Sequence, residues 1–397
     1  MYRLTQANHP LLDNEDYQYD GVHNRIQRTL TPLSESAVTD NWQYNNDNQL
    51  VSYSSVNDFY QFTYDANGNT IKRSHCSDSE FQNCSFRFYS YDARERLVKI
   101  EDQIKEAGLL GNKQAVAEYG YNQLGQRIWK NVSGKTTFFL FDQTGLVAEY
   151  DANFKLNNEY GYTPNSTFMT NPLFSRTIDN SAGINRIDFY FNDHLGTPLK
   201  LFSKVGSIVW SANASAFGEA HINQESITNN LRYPGQYFDQ ETGTHYNYYR
   251  DYNAELGRYL QSDPIGLGGG INRYSYVYSN STGNMDVYGL WAWAWGTYTG
   301  GNVITPGGGV LGGVNGQFFS DGSSGAFGVA GVGWGWDVGA GGELNFAVHT
   351  GDGGVDSWSG RFDAIAISAA GYTMSIFWGG GWYGVSGGVA SDGLAAS

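Results

Sequence analysis

The sequence predicts an all-β protein, and three observations predict it. Aromatic residues make up 16% of the 397, with Tyr alone at 29, while charged residues are also only 16% and Gly reaches 52; this composition favours short strands and turns over helical bundles. One phrase recurs through the first 150 residues. The last 107 residues alternate apolar with small or polar residues between glycines.

The recurring phrase comes in order as YQYDGVHNRIQR (17–28), WQYNNDNQLVSY (42–53), FTYDANGNTIKR (62–73), YSYDARERLVKI (89–100), YGYNQLGQRIWK (119–130) and FLFDQTGLVAEY (139–150). Aromatic-x-aromatic sets both rings on one face of a strand, and the Asp or Asn that follows suits a tight turn, so each unit is expected to be a β-hairpin. The second aromatics (Tyr19, Tyr44, Tyr64, Tyr91, Tyr121, Phe141) are spaced by 25, 20, 27, 30 and 20 residues. A stacked array with variable loops fits that spacing, since no single hairpin is stable alone. The rings are expected to pack between successive strands.

A formal charge of −15 disfavours nonspecific grip on phosphate backbones, so nucleic acid is not an expected partner. Cys76 and Cys84 are too few for a disulfide framework or a zinc site; a local hairpin disulfide and two unpaired thiols both remain open. The start, MYRLTQANHPLLDNEDYQYD, has no apolar run of a signal peptide, and about 18 consecutive apolar residues occur nowhere. Action outside the cell would then need a specialised secretion system or a preceding segment.

The array, followed by DHLGTPLKLFSKVGSIVWSANASAFGEA (193–220) and NNLRYPGQYFDQETGTHYNYYRDYNAELGRYLQSDPIGL (229–267), resembles the YD-repeat proteins of the Rhs family and the C subunits of insecticidal toxin complexes. The resemblance covers about residues 17–290. It implies a β-sheet spiralling into a hollow shell that holds a toxic C-terminal segment. With about 290 residues available, enclosing 107 needs further repeats upstream or a shell-completing subunit.

Asp263 in DPIGL and Asp286 in DVYGL stand 23 residues apart in two copies of Asp-x-x-Gly-Leu. Similar turns would bring the two carboxylates together, where one ionises less easily than the other and the pair offers an acid and a base at one pH. Intein-like shifts need Ser, Thr or Cys after the scissile bond, whereas Leu290 is followed by Trp291. Water activated by the acid pair is therefore the expected means of cutting Leu290–Trp291. The family resemblance implies the same cut, made with an arginine that matches Arg250, so the catalytic set is Arg250, Asp263 and Asp286, a single-turnover aspartic self-protease. Val287 stands where the family has Pro and Ser281 where Asn-Pro is usual, which is expected to loosen the turn. The alternative is that the aspartates cap turns and Arg250 makes a surface ion pair.

After Leu290 the composition changes: 30 of 107 residues are Gly, 8 of the 11 Trp lie here, Lys is absent and Arg361 is the one Arg against seven acidic residues. ELNFAVHT (343–350), RFDAIAISAAGYTMSIFW (361–378) and WYGVSGGVA (382–390) predict short antiparallel strands in a soluble Gly-rich barrel or sandwich, with a membrane pore as the second reading. The ionisable set is His349, Glu343, Arg361, Asp321, Asp337, Asp352, Asp356, Asp363 and Asp392; His349 with Asp352 or Asp363 makes a hydrolase conceivable, but no spacing selects it. No nucleotide loop or metal cluster is present in the pattern, so no cofactor is expected.

The resulting division is a YD-repeat segment at 1–192, an Rhs-associated core at 193–290 with an autoproteolytic end, and a variable effector at 291–397. The expected function is to enclose, release and deliver that effector into competing or host cells. The resemblance implies a secretion-system component and, for a bacterial target, an immunity protein as partners; the effector itself is expected to act on a membrane or a protein. The rival reading is a noncatalytic, adhesive cell-surface protein.

Overall fold

The computed structural model describes residues 3–290 except 10, 33–35, 57, 78–81 and 180–182, and beyond them seven strands between Trp293 and Ala390. The chain divides into two compact units, one of residues 2–264 with 272–289, the other of residues 265–271 with 290–397. Among the described residues there is no α-helix, only two short 3₁₀ turns at Gly266–Gly269 and Val277–Ser279.

The first unit is built on a 20-stranded sheet running from Gln6–Ala7 to Ala220–Glu225. Nearly every strand pairs antiparallel with its sequence neighbours, as Asn14–Tyr19 does with Arg25–Thr31. The two-residue strand Leu109–Leu110 folds back on Leu97–Glu106, which also pairs with Gln114–Tyr121. The sheet crosses residue 193 without a break, because Ile184–Asn192 pairs with Pro198–Ser203 around the Asp193 turn.

The turn that repeats is made by the acid or amide after the second aromatic. Asp20 Oδ1 accepts the N–H groups of Val22 and Asn24 at 3.0 and 2.9 Å, Asp65 those of Asn67 and Asn69 at 3.0 and 2.8 Å, and Asp193 those of Leu195 and Thr197 at 2.9 and 2.8 Å. A short side chain acting as backbone acceptor two and four residues on is why Asp or Asn is required there. The strand register shifts at the second aromatic itself, between Gln18 and Tyr19, Thr63 and Tyr64, and Ser90 and Tyr91, as a bulge does when it re-aims a side chain.

That re-aimed tyrosine ties one repeat to the one before. Tyr44 donates its hydroxyl to the Arg25 carbonyl at 2.9 Å, Tyr64 to Leu50 at 3.1 Å, Tyr91 to Thr70 at 2.8 Å and Tyr121 to Leu97 at 2.7 Å. Each acceptor is the residue five places after the previous turn's Asp or Asn, where the returning strand begins. The first aromatic of each pair is instead buried outright: Tyr17, Trp42, Phe62, Tyr89 and Tyr119 are all core residues. Both rings therefore lie on the core face, and Trp42, Tyr53, Tyr60 and His75 stack in a row across neighbouring strands. Cys76 and Cys84 face each other across adjacent strands and form a disulfide, which resolves the choice that the sequence leaves open.

Residues 229–264 and 272–289 pack on that core face around a small four-stranded sheet of Tyr237–Asp239, Thr244–Asn247, Arg250–Asn253 and Arg258–Tyr259. Its anchors are the starts of the returning strands and the turns beside them. Arg258 donates to the Asn48 carbonyl, Tyr274 to Gly68, Tyr248 to Leu124, and Thr70 donates to Leu260. Arg127 grips Asp239 with both terminal nitrogens, and Lys130 joins at 3.0 Å. Burial alone would raise the Asp239 carboxyl, but these two cations hold it below its ordinary value.

The second unit contains a seven-stranded antiparallel sheet in the order Ser324–Gly333, Gly308–Phe319, Trp293–Thr305, Asp337–His349, Trp382–Ala390, Tyr372–Gly379, Asp363–Ala369. The strands are longer than the short ones expected, up to 13 residues, because glycine inside a strand weakens it without ending it. Direct pairing sets Trp295 opposite Phe346 and Phe318, Phe346 opposite Val385, and Val385 opposite Ile376, which share one face. The other face carries Tyr298 opposite Glu343 and Asn315, with Asp337 and His349 in the same alternation.

Candidate active site

Arg250 begins the strand Arg250–Asn253, between strands Thr244–Asn247 and Arg258–Tyr259, and all these residues are buried. Its guanidinium reaches both predicted aspartates: Nη2 lies 2.8 Å from Asp263 Oδ2 and 3.4 Å from Asp286 Oδ2. The two carboxylates thus share one nitrogen, and their oxygens are no farther apart than the sum of those distances. Side-chain exposure is 1% for Arg250 and 2% for each aspartate, so the surface ion pair considered above is not what forms. Asp263 is aligned by its own N–H, which donates to the Arg273 carbonyl at 2.9 Å. Arg250 Nη1 donates to that same carbonyl at 3.1 Å.

The stretch from Asp286 to Gly289 is held at every residue. The Asp286 carbonyl accepts Asn247 Nδ2 at 2.9 Å, and its carboxylate accepts the Tyr259 hydroxyl at 2.8 Å. Val287 passes so close to Gly235 that a Cβ there would overlap the Val287 carbonyl, and Gly235 has a φ of +81° that favours glycine. The Tyr288 carbonyl accepts the Tyr249 N–H at 3.2 Å, while its ring packs on Phe168 and Tyr248. Gly289 presents its carbonyl to Arg250 Nε at 2.5 Å, and a Cβ on Gly289 would press on the Asn247 carbonyl. One cation therefore touches both acids and the carbonyl of the residue before Leu290. Trp291, across the predicted scissile bond, lies outside the described residues.

The two departures from the family pattern have definite places. Ser281 is buried and its hydroxyl donates to the Ala216 carbonyl. Val287 supplies the backbone that Gly235 accommodates. Neither leaves its segment without a tether.

Three residues of this region were not singled out from the sequence. Tyr259 and Asn247 contact Asp286 as above. Asp251 is buried, takes Gln261 Nε2 at 2.5 Å, and is pushed up to about 7 by burial, against the lowering pull of that hydrogen bond. Its only sequence signal is adjacency to Arg250 in YRDY. His245 is pushed down to about 3, first by burial and then by Arg232, and is neutral at ordinary pH. Among the described residues no three His, Cys, Asp or Glu are grouped to hold a metal ion.

Of the ionisable residues in the C-terminal segment, Asp337, Glu343, His349 and Asp363 fall on strands. Arg361, Asp321, Asp352, Asp356 and Asp392 lie outside the described residues.

Residues 187–225 match the family model described as RHS protein. The chain is 27% identical over 301 residues to double-stranded DNA deaminase toxin A of Burkholderia cenocepacia, an alignment covering 70% of this chain and 19% of that protein. It is 28% identical over 286 residues to tRNA nuclease WapA of Bacillus subtilis, covering 70% and 11%, and 41% identical over 110 residues to toxin protein Tse5 of Pseudomonas aeruginosa, covering 28% and 8%. The chain thus spans less than a fifth of the length of these relatives. Among solved structures, the TcdB2-TccC3 crystal structure aligns over 72% of this chain and 18% of that one, with 17% identity and a TM-score of 0.40. In its ordered hairpins, its matched RHS segment and relatives aligned over most of its length, the chain is similar to the Rhs family.

Proposed function

We propose that this chain is the C-terminal part of an Rhs-type polymorphic toxin, whose sheet helps to enclose an effector and whose buried cluster cuts the chain after Leu290. The observation that carries the reading is Arg250, in contact with Asp263, Asp286 and the Gly289 carbonyl. Two carboxylates beside one guanidinium can hold one proton between them, so one acts as base and the other as acid. In the proposed hydrolysis, water oxygen adds to the Leu290 carbonyl carbon and loses a proton to the ionised carboxylate. The Leu290–Trp291 C–N bond then breaks as the protonated carboxyl supplies the amine of Trp291. Arg250 orders the acids and the chain leading to the bond.

The test is a denaturing gel of the purified chain with N-terminal sequencing of the smaller piece. Two bands, the smaller beginning Trp-Ala-Trp, are expected. A single band would favour the adhesive reading, and a piece beginning at Pro264 would indicate acid-labile Asp263–Pro264 scission instead.

For residues 291–397 the favoured target is a membrane. The supporting observation is a sheet whose paired register gathers Trp295, Phe346, Phe318, Val385 and Ile376 on one face, and five of whose seven strands are at least as long as those that cross a bilayer. Added to lipid vesicles, this segment should release trapped dye; intact vesicles together with degraded nucleic acid in intoxicated cells would overturn the reading. Delivery by a secretion system, upstream repeats or a subunit to complete the shell, and an immunity protein belong to the same proposal.

A further inference from the structure

We propose that Tyr259, oriented by Asn247, is a positioning residue that keeps Asp286 aligned and charged for the self-cut; the inference rests on reading Arg250, Asp263 and Asp286 as a self-cleaving cluster.

The argument is one of hydrogen-bond direction. Asn247 Nδ2 lies 2.9 Å from the Asp286 carbonyl oxygen and 2.8 Å from Tyr259 Oη. A carbonyl can only accept, so the amide nitrogen must face it, and the reversed amide would set two acceptors against each other. The same nitrogen then donates to the phenol oxygen. With that lone pair engaged, the phenol proton is directed at Asp286 Oδ2, 2.8 Å away. The order Asn247 to Tyr259 to Asp286 therefore has a fixed polarity, and its last donor points at a carboxylate.

Burial makes this polarity matter. Asn247 is 0% exposed, Tyr259 1% and Asp286 3%, and a hydrogen bond to a charged group in such a place is stronger than one in water. Burial, with Asp286 beside it, holds the Tyr259 phenol well above its ordinary value, so it stays a donor across the working pH range. Tyr259 touches the cation as well, because the Arg250 guanidinium carbon sits 3.6 Å from its ring centroid. One side chain thus fixes Arg250 from its face and Asp286 from its hydroxyl.

The hydroxyl is separable from the ring. The ring packs against Tyr252 and Tyr276 at 5.6 and 6.0 Å, and Tyr259→Phe keeps those contacts. In the full chain, this variant should cut at least about 10-fold more slowly, as loss of a hydrogen bond to a charged group implies. The acid limb of its pH–rate profile should move upward, because Asp286 without its donor takes up a proton more readily. In an uncut Asp263→Asn background, infrared titration of the Asp286 carboxyl should show the same upward shift on adding Tyr259→Phe. Asn247→Ala should shift it in the same direction by less, and serves if Tyr259→Phe misfolds. An unchanged rate, or a slower rate with an unmoved acid limb and an unmoved carboxyl titration, would overturn the proposal. A parent chain that never cuts at Leu290 removes the reading beneath it, an outcome distinct from a parent that cuts and a Tyr259→Phe variant that cuts equally well.

Discussion

Aspartate is used in two ways in this molecule. In the repeat array Asp20, Asp65 and Asp193 close turns with Oδ1 taken by backbone N–H groups two and four residues on. In the segment from 229 to 289, Asp239, Asp263 and Asp286 are buried, and their carboxylates meet side chains from elsewhere in the sequence: Arg127, Lys130, Arg250 and Tyr259. A turn acid serves a local geometry and can be replaced by Asn, as Asn45 and Asn122 do. A buried acid gathered around a cation answers its charge, which Asn does not carry.

The largest effect that would break this comparison lies in cutting. Asp263→Asn or Asp286→Asn should slow the cut by roughly 10²–10⁴-fold, the span of a lost acid or base, with circular dichroism unchanged. Retained cutting in either variant would mean that the acids are structural after all. Next in size, Arg127→Met leaves Asp239 buried with only Lys130 as its cation, and should cost about 3–5 kcal/mol in urea unfolding.

Asp251 sharpens the contrast through pH. Its carboxyl is raised in the fold from 3.8 to about 7, so the folded state binds the proton more tightly than the unfolded one. The stability this provides is fully present below about pH 3.8 and is lost as pH rises through about 7. Asp251→Asn should therefore melt higher than the parent at pH 8, by a margin on the order of a few kcal/mol, and the two melting curves should converge at acid pH. The smallest effect is expected of a turn acid: Asp65→Ala should cost roughly 1–2 kcal/mol, leave the cutting rate unchanged, and be largely restored by Asn.

The array was legible in the sequence because its causes are local. A period of two, a turn acid and a following β-rich run lie within about twelve residues, and Tyr17, Tyr19 and Asp20 each do what that spacing requires. The hairpins around Tyr162 and Asp193 were harder to see, since Thr163 replaces the turn acid in one and Asn192 the second aromatic in the other. At the candidate site, the duplicated motif pointed to Asp263 and Asp286, and the resemblance to Arg250. Tyr259, Asn247 and Asp251 were not legible, because their importance comes from packing between strands and no spacing encodes it. The length of the strands beyond Leu290 was also hidden, since glycines that look like punctuation run through paired strands.

The tyrosine tie between successive hairpins has a consequence for timing. Each tie reaches back to a carbonyl already synthesised, Tyr44 to Arg25 and Tyr64 to Leu50, so the array can be laid down hairpin by hairpin as the chain emerges. The segment carrying Arg250 is different: its anchors, Asn48, Gly68, Thr70 and Leu124, are more than a hundred residues older. Such distant contacts form late. Whatever chemistry the buried cluster performs therefore waits for the array to be finished, and its first turnover would mark a completed molecule.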